Sequence, residues 1–286
     1  MDQTTPSCFT PAPGEGDLPK VTLVAPDGAQ AEIYLHGAHV ASWAPANDTE
    51  RLFMSEASAF SAGAPIRGGI PLVFPQFGAN GPLPNHGFAR ILPWEFLGAQ
   101  VAGNTATATF HLVDTSETRA MWDHAFAAEL SVAVGGNGLS VTLEIDNTGP
   151  EPFSFTAALH TYLRVADLAE AYVQGLGDQA YRDLPAGGVE AVQAEPLLRF
   201  EGELGRLYLG APAELQLFDG ERTVLIRHAG FTDTVVWNPG AQKSLTFPDL
   251  KPDDYLHYVC VEGATVGTPV VLAPGERWLG SQSLLV

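Results

Sequence analysis

The amino-acid sequence predicts an all-β protein: a large antiparallel β-sandwich with a few short helices. Apolar and polar residues alternate along many short segments, a pattern typical of strands that are buried on one face. Most of these segments are bounded by Gly, Pro, Asn or Asp, and helical periodicity is scarce. Consecutive strands with few helices favour a sandwich over alternating strand–helix units.

The alternating segments run through the whole chain. The segment VAVGGNGLSVTLEIDNTG (132–149) predicts a hairpin, since Gly135 to Gly138 can adopt the positive φ that tight connections require. The predicted strand segments are VTLVAP (21–26), AEIYLHGAHVASWAP (31–45), TATATFHLVD (105–114), AAELSVAVGG (127–136), LSVTLEIDNTG (139–149), AELQLFDG (213–220), RTVLIRHAG (222–230), HYVCVEGATV (257–266) and PVVLAPGERWLGSQSLLV (269–286).

Two short stretches have helical character. SETRAMWDHAF (116–126) predicts a helix with Ser116 as its N-cap, because a serine hydroxyl can accept a hydrogen bond from the first free amides of a helix. RLFMSEAS (51–58) is the second candidate.

The chain is predicted to contain a single domain over residues 21–286. Its 286 residues are 45% hydrophobic, which supplies a sizeable core, and it has neither an internal repeat nor a Gly/Ser-rich linker. Residues 1–20 are rich in Pro, Gly, Ser and Thr, so we expect a flexible N-terminal lead-in there.

The charge of the chain excludes several classes of partner. Its 14 Lys and Arg residues and 33 Asp and Glu residues give a formal net charge of −19, which disfavours nucleic acids and anionic membranes. The N-terminus lacks the pattern of a signal peptide, and no apolar run is long enough to span a membrane, so a cytoplasmic protein is expected. Cys8 and Cys260 are expected to be free thiols.

His160 and Glu262 are the candidate acid–base residues. His160 lies in the apolar segment TAALHTYLRV, where a core histidine bonded to a carbonyl group is the simpler interpretation. Glu262 lies in the apolar segment HYVCVEGATV, and because a buried carboxylate is expensive to desolvate, it indicates a partner or a functional cleft.

A Gly- and Pro-rich stretch, residues 64–90, concentrates further polar residues. Arg67 precedes two glycines, Gln76 follows them, and His86 and Arg90 end the stretch. Glycines let a backbone approach a ligand closely, although arginines in such loops are often plain surface residues. In FTDTVVWNP, Asp233 has two open interpretations: it caps a turn, or it belongs to a site.

Taken in order, these motifs resemble the hexose-phosphate mutarotases, the glucose-6-phosphate 1-epimerase branch of the galactose mutarotase superfamily. The resemblance implies a β-supersandwich with a cleft on one concave sheet, and no cofactor or metal. The matching motifs are IRGGIPLVFPQFG, LPNHGFAR, ALHTYLRV, DTVVWNP followed by Lys243, and YVCVEGA.

The same resemblance implies roles for individual residues. His160 corresponds to the family's general acid and Glu262 to its general base. The arginines of the IRGG and HGFAR motifs correspond to the family's sugar-phosphate ligands, Arg67 and Arg90. The remaining positions expected to contact sugar hydroxyls are Gln76, His86 and Asp233. The implied reaction interconverts the α and β anomers of an aldohexose 6-phosphate, most simply glucose 6-phosphate, a small-molecule substrate, and we expect a monomer.

Two other functions stay open at this point. One is mutarotation of unphosphorylated aldoses, which would not need the arginine pair. The other is a non-catalytic carbohydrate-binding or regulatory module in which aromatic rings such as Trp43, Trp94 and Trp237 stack on sugars. A glycosidase is less well supported, since that chemistry normally needs two placed carboxylates.

Overall fold

The structure is a computed structural model and describes residues 9–286. Met1 to Cys8, including the thiol predicted at Cys8, lie outside the described residues. Within residues 9–286 the strands, in chain order, are β1 (Ala12–Pro13), β2 (Pro19–Val24), β3 (Gln30–Tyr34), β4 (His39–Ala44), β5 (Leu72–Val73), β6 (Glu95–Ala102), β7 (Thr105–Val113), β8 (Phe126–Gly135), β9 (Gly138–Asn147), β10 (Phe153–Leu159), β11 (Tyr162–Arg164), β12 (Tyr172–Gln174), β13 (Ala180–Asp183), β14 (Val189–Val192), β15 (Leu197–Leu198), β16 (Leu204–Tyr208), β17 (Glu214–Phe218), β18 (Thr223–Ala229), β19 (Asp233–Asn238), β20 (Tyr258–Leu272) and β21 (Arg277–Leu285).

These strands form three antiparallel sheets. A four-stranded sheet has the order β1-β2-β3-β4. An eight-stranded sheet has the order β14-β13-β16-β19-β20-β10-β5, with β11 paired to β20, and a nine-stranded sheet has the order β15-β12-β17-β18-β21-β9-β8-β7-β6. The predicted all-β, antiparallel fold is confirmed. The predicted domain boundary at Val21 falls inside β2, and β1 already pairs with β2 upstream of it.

Helices are few, as predicted. They are α1 (Ser116–Met121), α2 (Gly240–Ser244) and the 3-10 helices Glu15–Asp17, Ala89–Ile91 and Asp254–His257.

Two local predictions about helices were wrong. The N-cap of α1 is Thr115 rather than Ser116: the Thr115 hydroxyl accepts from the Thr118 amide, and the Thr118 hydroxyl accepts from the Thr115 amide in return. The stretch 51–58 is not helical, because Leu52 and Met54 form isolated bridges to Leu163 and Gly68. Pairing with distant backbone overrides the weak helical pattern there.

Alternation along the strands builds the core between the two large sheets. Buried and partly exposed residues alternate over the whole of β8 and β9, as expected for strands with one face in the core. Phe74 lies at the centre of an aromatic cluster and contacts the rings of Phe88, Trp122, Phe126 and Phe155 at centroid distances of 5.3–6.3 Å. Each such ring contributes roughly 1.5–3 kcal/mol through burial.

The second face of the eight-stranded sheet is turned away from this core. Along β20, Val259 and Val261 belong to the main core, whereas Cys260 and Ala264 belong to separate small clusters on the opposite face. Glu262 shares the face of Cys260 and Ala264 because side chains alternate along a strand. It therefore points to the side of the sheet on which Phe53, Phe247 and Leu250 cluster with Cys260.

His39, on β4, is buried beneath the glycines that follow Arg67. Its side chain is 1% exposed, and a Cβ atom built on Gly69 would lie 2.7 Å from its Nε2 atom. Burial, followed by electrostatic interactions with the neighbouring His36 and Arg90, lowers the pKa of His39 from 6.5 to about 3. The imidazole is therefore neutral in the folded protein at neutral pH.

The His39 pKa predicts a pH-dependent contribution to stability. In the unfolded chain, His39 is protonated below its ordinary pKa of 6.5, whereas in the folded protein it stays neutral down to about pH 3. The folded state therefore loses stability relative to the unfolded state as the pH falls from 6.5 towards 3. The His39→Gln variant has no group at this position that takes up a proton in this pH range. We expect the free energy of unfolding of the wild type to fall relative to that of the variant by about 2 kcal/mol between about pH 7 and pH 5. Urea unfolding at both pH values measures it, and a pH-independent difference would contradict the lowered pKa.

Candidate active site

The free face of the eight-stranded sheet forms the floor of a cleft of about 840 Å³. Its size lies within the range of small-molecule sites. The floor carries Glu262, Val235, Leu207 and Trp237, and residues from the stretches 67–90, 182–188 and 243–247 contribute to the walls. Five of the seven predicted site residues line this cleft: Arg67, His86, Arg90, His160 and Glu262.

His160 and Glu262 are in contact at the floor. The His160 Nε2 and Glu262 Oε1 atoms are 3.4 Å apart. Strand register brings them together. Leu159, the last residue of β10, pairs with Gly263 of β20. Because the strands are antiparallel, His160, which follows Leu159, lies beside Glu262, which precedes Gly263. His160 is 7% exposed and Glu262 1% exposed, so the contact is almost closed to bulk water.

Burial disfavours the charged form of both residues. It lowers the pKa of His160 well below its ordinary 6.5, and electrostatic interactions with the neighbouring His86, Arg90 and Arg67 lower it further. Burial raises the pKa of Glu262 well above its ordinary 4.5, against a smaller opposing effect of Arg90. Each residue keeps one buried polar atom without a partner in residues 9–286, namely His160 Nδ1 and Glu262 Oε2.

Aromatic rings hold the His160 imidazole in place on three sides. Tyr162 stacks on it with a centroid distance of 4.9 Å and an angle of 14° between the planes. Trp237 and His86 approach it edge-on at 5.8 Å and 5.5 Å. The sequence analysis did not identify Tyr162 as a site residue. Tyr162 is two positions after His160, and in a strand two such side chains lie on the same face.

Arg67 is fixed in the wall of the cleft by three contacts. Its Nε atom donates to Asp249 Oδ2 at 3.1 Å, its Nη1 atom donates to the Tyr162 hydroxyl at 3.0 Å, and its guanidinium lies 4.8 Å from the centre of the Phe247 ring. Asp249 and Phe247 lie in the segment that follows α2. No pattern in the sequence predicted that these two residues would contact Arg67. The ion pair holds Arg67 rigidly and offsets part of its charge.

The glycines after Arg67 are required by close backbone contacts. Gly68 and Gly69 have φ angles of +107° and +60°. A Cβ atom at Gly69 would lie 2.2 Å from the carbonyl oxygen of Val40. Only glycine tolerates both the conformation and the approach, and the tight path of the loop aims Arg67 into the cleft.

Arg90 is the lining cation that has no carboxylate partner among residues 9–286. Its Nη2 atom donates to the Asn85 carbonyl at 2.8 Å. Burial is the main cause that lowers the pKa of Arg90 to about 10, and Arg90 therefore stays protonated at neutral pH. The other lining cations are each paired: Arg67 with Asp249, Arg182 with Glu190, and Lys243 with Glu203 at 3.6 Å.

His86 presents a donor to the cleft. Burial, with the fields of Arg90 and Arg67, lowers its pKa from 6.5 to about 3, so the ring is neutral. Its Nδ1 atom accepts from the Gly78 amide at 3.3 Å, which assigns the ring proton to Nε2. A neutral imidazole of this tautomer can donate to a sugar hydroxyl.

Gln76 and Asp233 are not brought into the cleft lining. The Gln76 amide is occupied by its own loop: it donates to the Gly78 and Leu83 carbonyls and accepts from the Leu83 amide. The Asp233 carboxylate accepts from the backbone amides of three residues, Gly210, Val266 and Gly267. Both side chains shape backbone next to the cleft.

Two of the tryptophans considered for sugar stacking are core residues. Trp43 is 0% exposed and Trp94 is 2% exposed, so neither can contact a sugar. Trp237 alone of the three lines the cleft. Of the three tryptophans, only Trp237 is placed where it could stack on a sugar.

Cys260 is a buried free thiol beside Glu262 on the same face of β20, and burial raises its pKa well above 9.0.

Residues 9–286 contain no group of three or more His, Cys, Asp or Glu side chains placed to hold a metal ion. None of the helices in that part of the chain has the length and apolar character of a membrane span.

Comparison with known proteins identifies relatives over nearly the whole chain. The aldose 1-epimerase family matches residues 19–285. Two relatives are named "Putative glucose-6-phosphate 1-epimerase": one from Cenchrus ciliaris is 38% identical over 277 residues, covering 93% of this chain and 84% of its own. The other, from Escherichia coli K12, is 35% identical over 263 residues, covering 90% and 87%.

Solved structures agree with these relatives. The crystal structure of "a putative mutarotase (YeaD)" from Salmonella typhimurium has a TM-score of 0.90 to this chain at 31% identity, and the match covers 100% of this chain and 95% of that one. The predicted superfamily, the sandwich fold and the enzyme class are confirmed together. The chain belongs to the aldose 1-epimerase family, and it is an isomerase.

Proposed function

We propose that this protein interconverts the α and β anomers of an aldohexose 6-phosphate, with glucose 6-phosphate as the expected substrate. The contact between His160 and Glu262 at the floor of a cleft that also holds Arg67 and Arg90 is the observation that carries the proposal. The names of the relatives from Cenchrus ciliaris and Escherichia coli support the same substrate.

Anomer exchange needs one acid and one base. The Glu262 carboxylate removes the proton from the C1 hydroxyl while the His160 imidazolium protonates the ring oxygen, the C1–O5 bond breaks, and the open aldehyde forms. Rotation about C1–C2 and the reverse proton transfers then close the ring on the other face. The reaction begins and ends with the same protons on the pair, so it needs no further reactant.

The buried pair suits this cycle because it holds one proton in total. After ring opening Glu262 is protonated and His160 is neutral, the form that burial favours at both residues. The reactive form, with a carboxylate and an imidazolium, differs from it by one proton transfer across the 3.4 Å contact. The ion pair costs more to desolvate than the neutral pair, and the attraction between the two charges across the contact offsets part of that cost.

Arg90 is the expected anchor for the phosphate group. A dianion needs charge-assisted donors, and Arg90 alone among the lining cations has no carboxylate partner in the described part of the chain. Arg67 can add its remaining N–H groups, since Asp249 and Tyr162 use only Nε and part of Nη1. His86 is expected to donate to a sugar hydroxyl.

The acid–base assignment predicts large losses of activity in two variants. His160→Ala and Glu262→Gln should each lower the rate of anomer exchange of glucose 6-phosphate by roughly 10²–10⁴-fold, the usual effect of one general acid or base. Exchange NMR at the two anomeric signals measures the rate above the uncatalysed background. Because the two residues act as a unit, the double variant should lose little more than either single variant.

A matched control for these variants is His257→Ala, which removes an exposed histidine outside the cleft and should leave the rate unchanged. Exchange at the wild-type rate in either His160→Ala or Glu262→Gln would refute the assignment. A wild-type protein that binds glucose 6-phosphate without accelerating exchange would instead favour a binding module.

The phosphate assignment predicts a change in substrate preference. Arg90→Gln should lower kcat/KM for glucose 6-phosphate by about 10–100-fold, since a hydrogen bond to a charged group contributes roughly 1.5–3 kcal/mol. The same variant should not cause a comparable loss of kcat/KM for free glucose, because free glucose has no phosphate for Arg90 to bind.

Arg182→Gln is the matched control, since Arg182 also lines the cleft but is paired with Glu190 and more exposed. It should affect glucose 6-phosphate turnover less than Arg90→Gln does. Wild-type protein that turns over glucose and glucose 6-phosphate with equal efficiency would point to unphosphorylated aldoses as substrates.

A further inference from the structure

A buried polar network lies directly behind the His160–Glu262 pair, between the two large sheets. Its side chains are Thr161, His228, Thr234 and Gln282, which are 0%, 6%, 0% and 1% exposed. Burying four polar side chains in a sandwich core is costly unless each is hydrogen-bonded. The network therefore calls for an explanation, and none of its members lines the cleft.

Gln282 connects the backbone neighbours of both reacting residues. It lies on β21 of the nine-stranded sheet, and its Nε2 atom donates to the Val261 carbonyl at 3.0 Å. Its Oε1 atom accepts from the Thr161 hydroxyl. Thr161 follows His160, and Val261 precedes Glu262. The Val261 amide also donates to the Thr161 carbonyl at 3.1 Å, so the three residues form a closed set of hydrogen bonds.

His228 extends the network to the other side of Glu262. Its Nε2 atom is 2.9 Å from Gln282 Nε2, and its Nδ1 atom is 3.3 Å from the Thr234 hydroxyl. Thr234 pairs with Gly263, and a Cβ atom at Gly263 would lie 3.1 Å from the His228 ring. The segment 261–263 is thus held by Gln282 at one end and by His228 at the other.

Donor and acceptor chemistry gives the network a single arrangement. The Val261 carbonyl can only accept, so the Gln282 NH₂ group must face it and the Gln282 oxygen must face Thr161, whose hydroxyl then donates. The second N–H of the Gln282 amide points to His228 Nε2, which must accept, and the ring proton lies on Nδ1. Burial lowers the pKa of His228 to about 4, in keeping with a neutral ring.

We infer that Gln282 is a positioning residue for the reaction, which fixes the separation and orientation of His160 and Glu262 through the backbone at Thr161 and Val261. Alternation along the strands puts the reacting side chains on the cleft face and the network on the core face. The inference rests on the proposed function of the pair. A displacement of about 1 Å at reacting groups can cost on the order of 10²-fold in rate.

The test replaces the hydrogen bonds while keeping the shape of each side chain. Gln282→Met and Thr161→Val should each lower kcat for glucose 6-phosphate about 10–100-fold, with KM changed less than about threefold. Thr161→Ser keeps the hydroxyl and should restore most of kcat. Ser283→Ala is the matched control: it removes a hydrogen bond to Ser140 from the neighbouring position of β21 and should leave kcat unchanged.

A readout independent of turnover separates this inference from the proposed function. The His160 ring resonances should shift in Gln282→Met and Thr161→Val and keep their positions in Ser283→Ala. Unchanged kcat and unchanged His160 resonances in both variants would overturn the inference, as would a loss of kcat that only follows the fraction of unfolded protein measured by urea. Wild-type protein without exchange activity would overturn the proposed function, and the resonances would still decide whether Gln282 positions His160.

Discussion

The contact between His160 and Glu262 is the constraint on which the rest of the site depends. Two ionisable side chains that are almost closed to water are tolerable only as a pair, because an isolated buried charge would be strongly destabilising. The His160 Nε2 and Glu262 Oε1 atoms lie 3.4 Å apart, with almost no access to bulk water. Their separation must therefore be held closely, and the surrounding structure supplies the restraint.

The sheet arrangement provides that restraint from two sides. On the cleft side, Tyr162, Trp237 and His86 surround the imidazole, and Tyr162 also accepts a hydrogen bond from Arg67. On the core side, the hydrogen bonds of Gln282 reach the backbone next to each residue of the pair. A site built on paired strands in this way is more rigid than one built on loops alone.

Sequence patterns anticipated the fold better than the site. Alternation predicted the hairpin correctly, and β8 ends at Gly135 while β9 begins at Gly138. Local pattern failed at residues 51–58, where bridges to distant backbone decide the conformation. Within the site, the nature of His160 and Glu262 was visible in the sequence, but their contact depends on β10 pairing with β20, which no local pattern encodes.

The partners of the site residues were the hardest features to foresee. Asp249 meets Arg67 from a position 182 residues away in sequence, and Gln282 meets Thr161 from 121 residues away. Polar residues with these roles resemble ordinary turn and strand residues until the topology is known. Gln76 and Asp233 show the converse, since both have the chemistry of sugar ligands yet bind nearby backbone.

Under the proposed function, anchoring and chemistry are coupled through electrostatics. The positive fields of Arg90 and Arg67 help to lower the pKa of His160, which weakens its ability to exist as the imidazolium acid. A phosphate dianion bound to these arginines offsets their field, so the pKa of His160 rises when the substrate is in place. The imidazolium form of His160 then forms more readily with a phosphorylated sugar bound, while the loss of the Arg90 field raises the pKa of Glu262 by a smaller effect. In a chain of net charge −19, a few arginines in a recessed cleft are sufficient for this because the field there is poorly screened. Phosphate recognition should therefore affect turnover as well as binding, because the group that holds the far end of the sugar also sets the proton balance at C1.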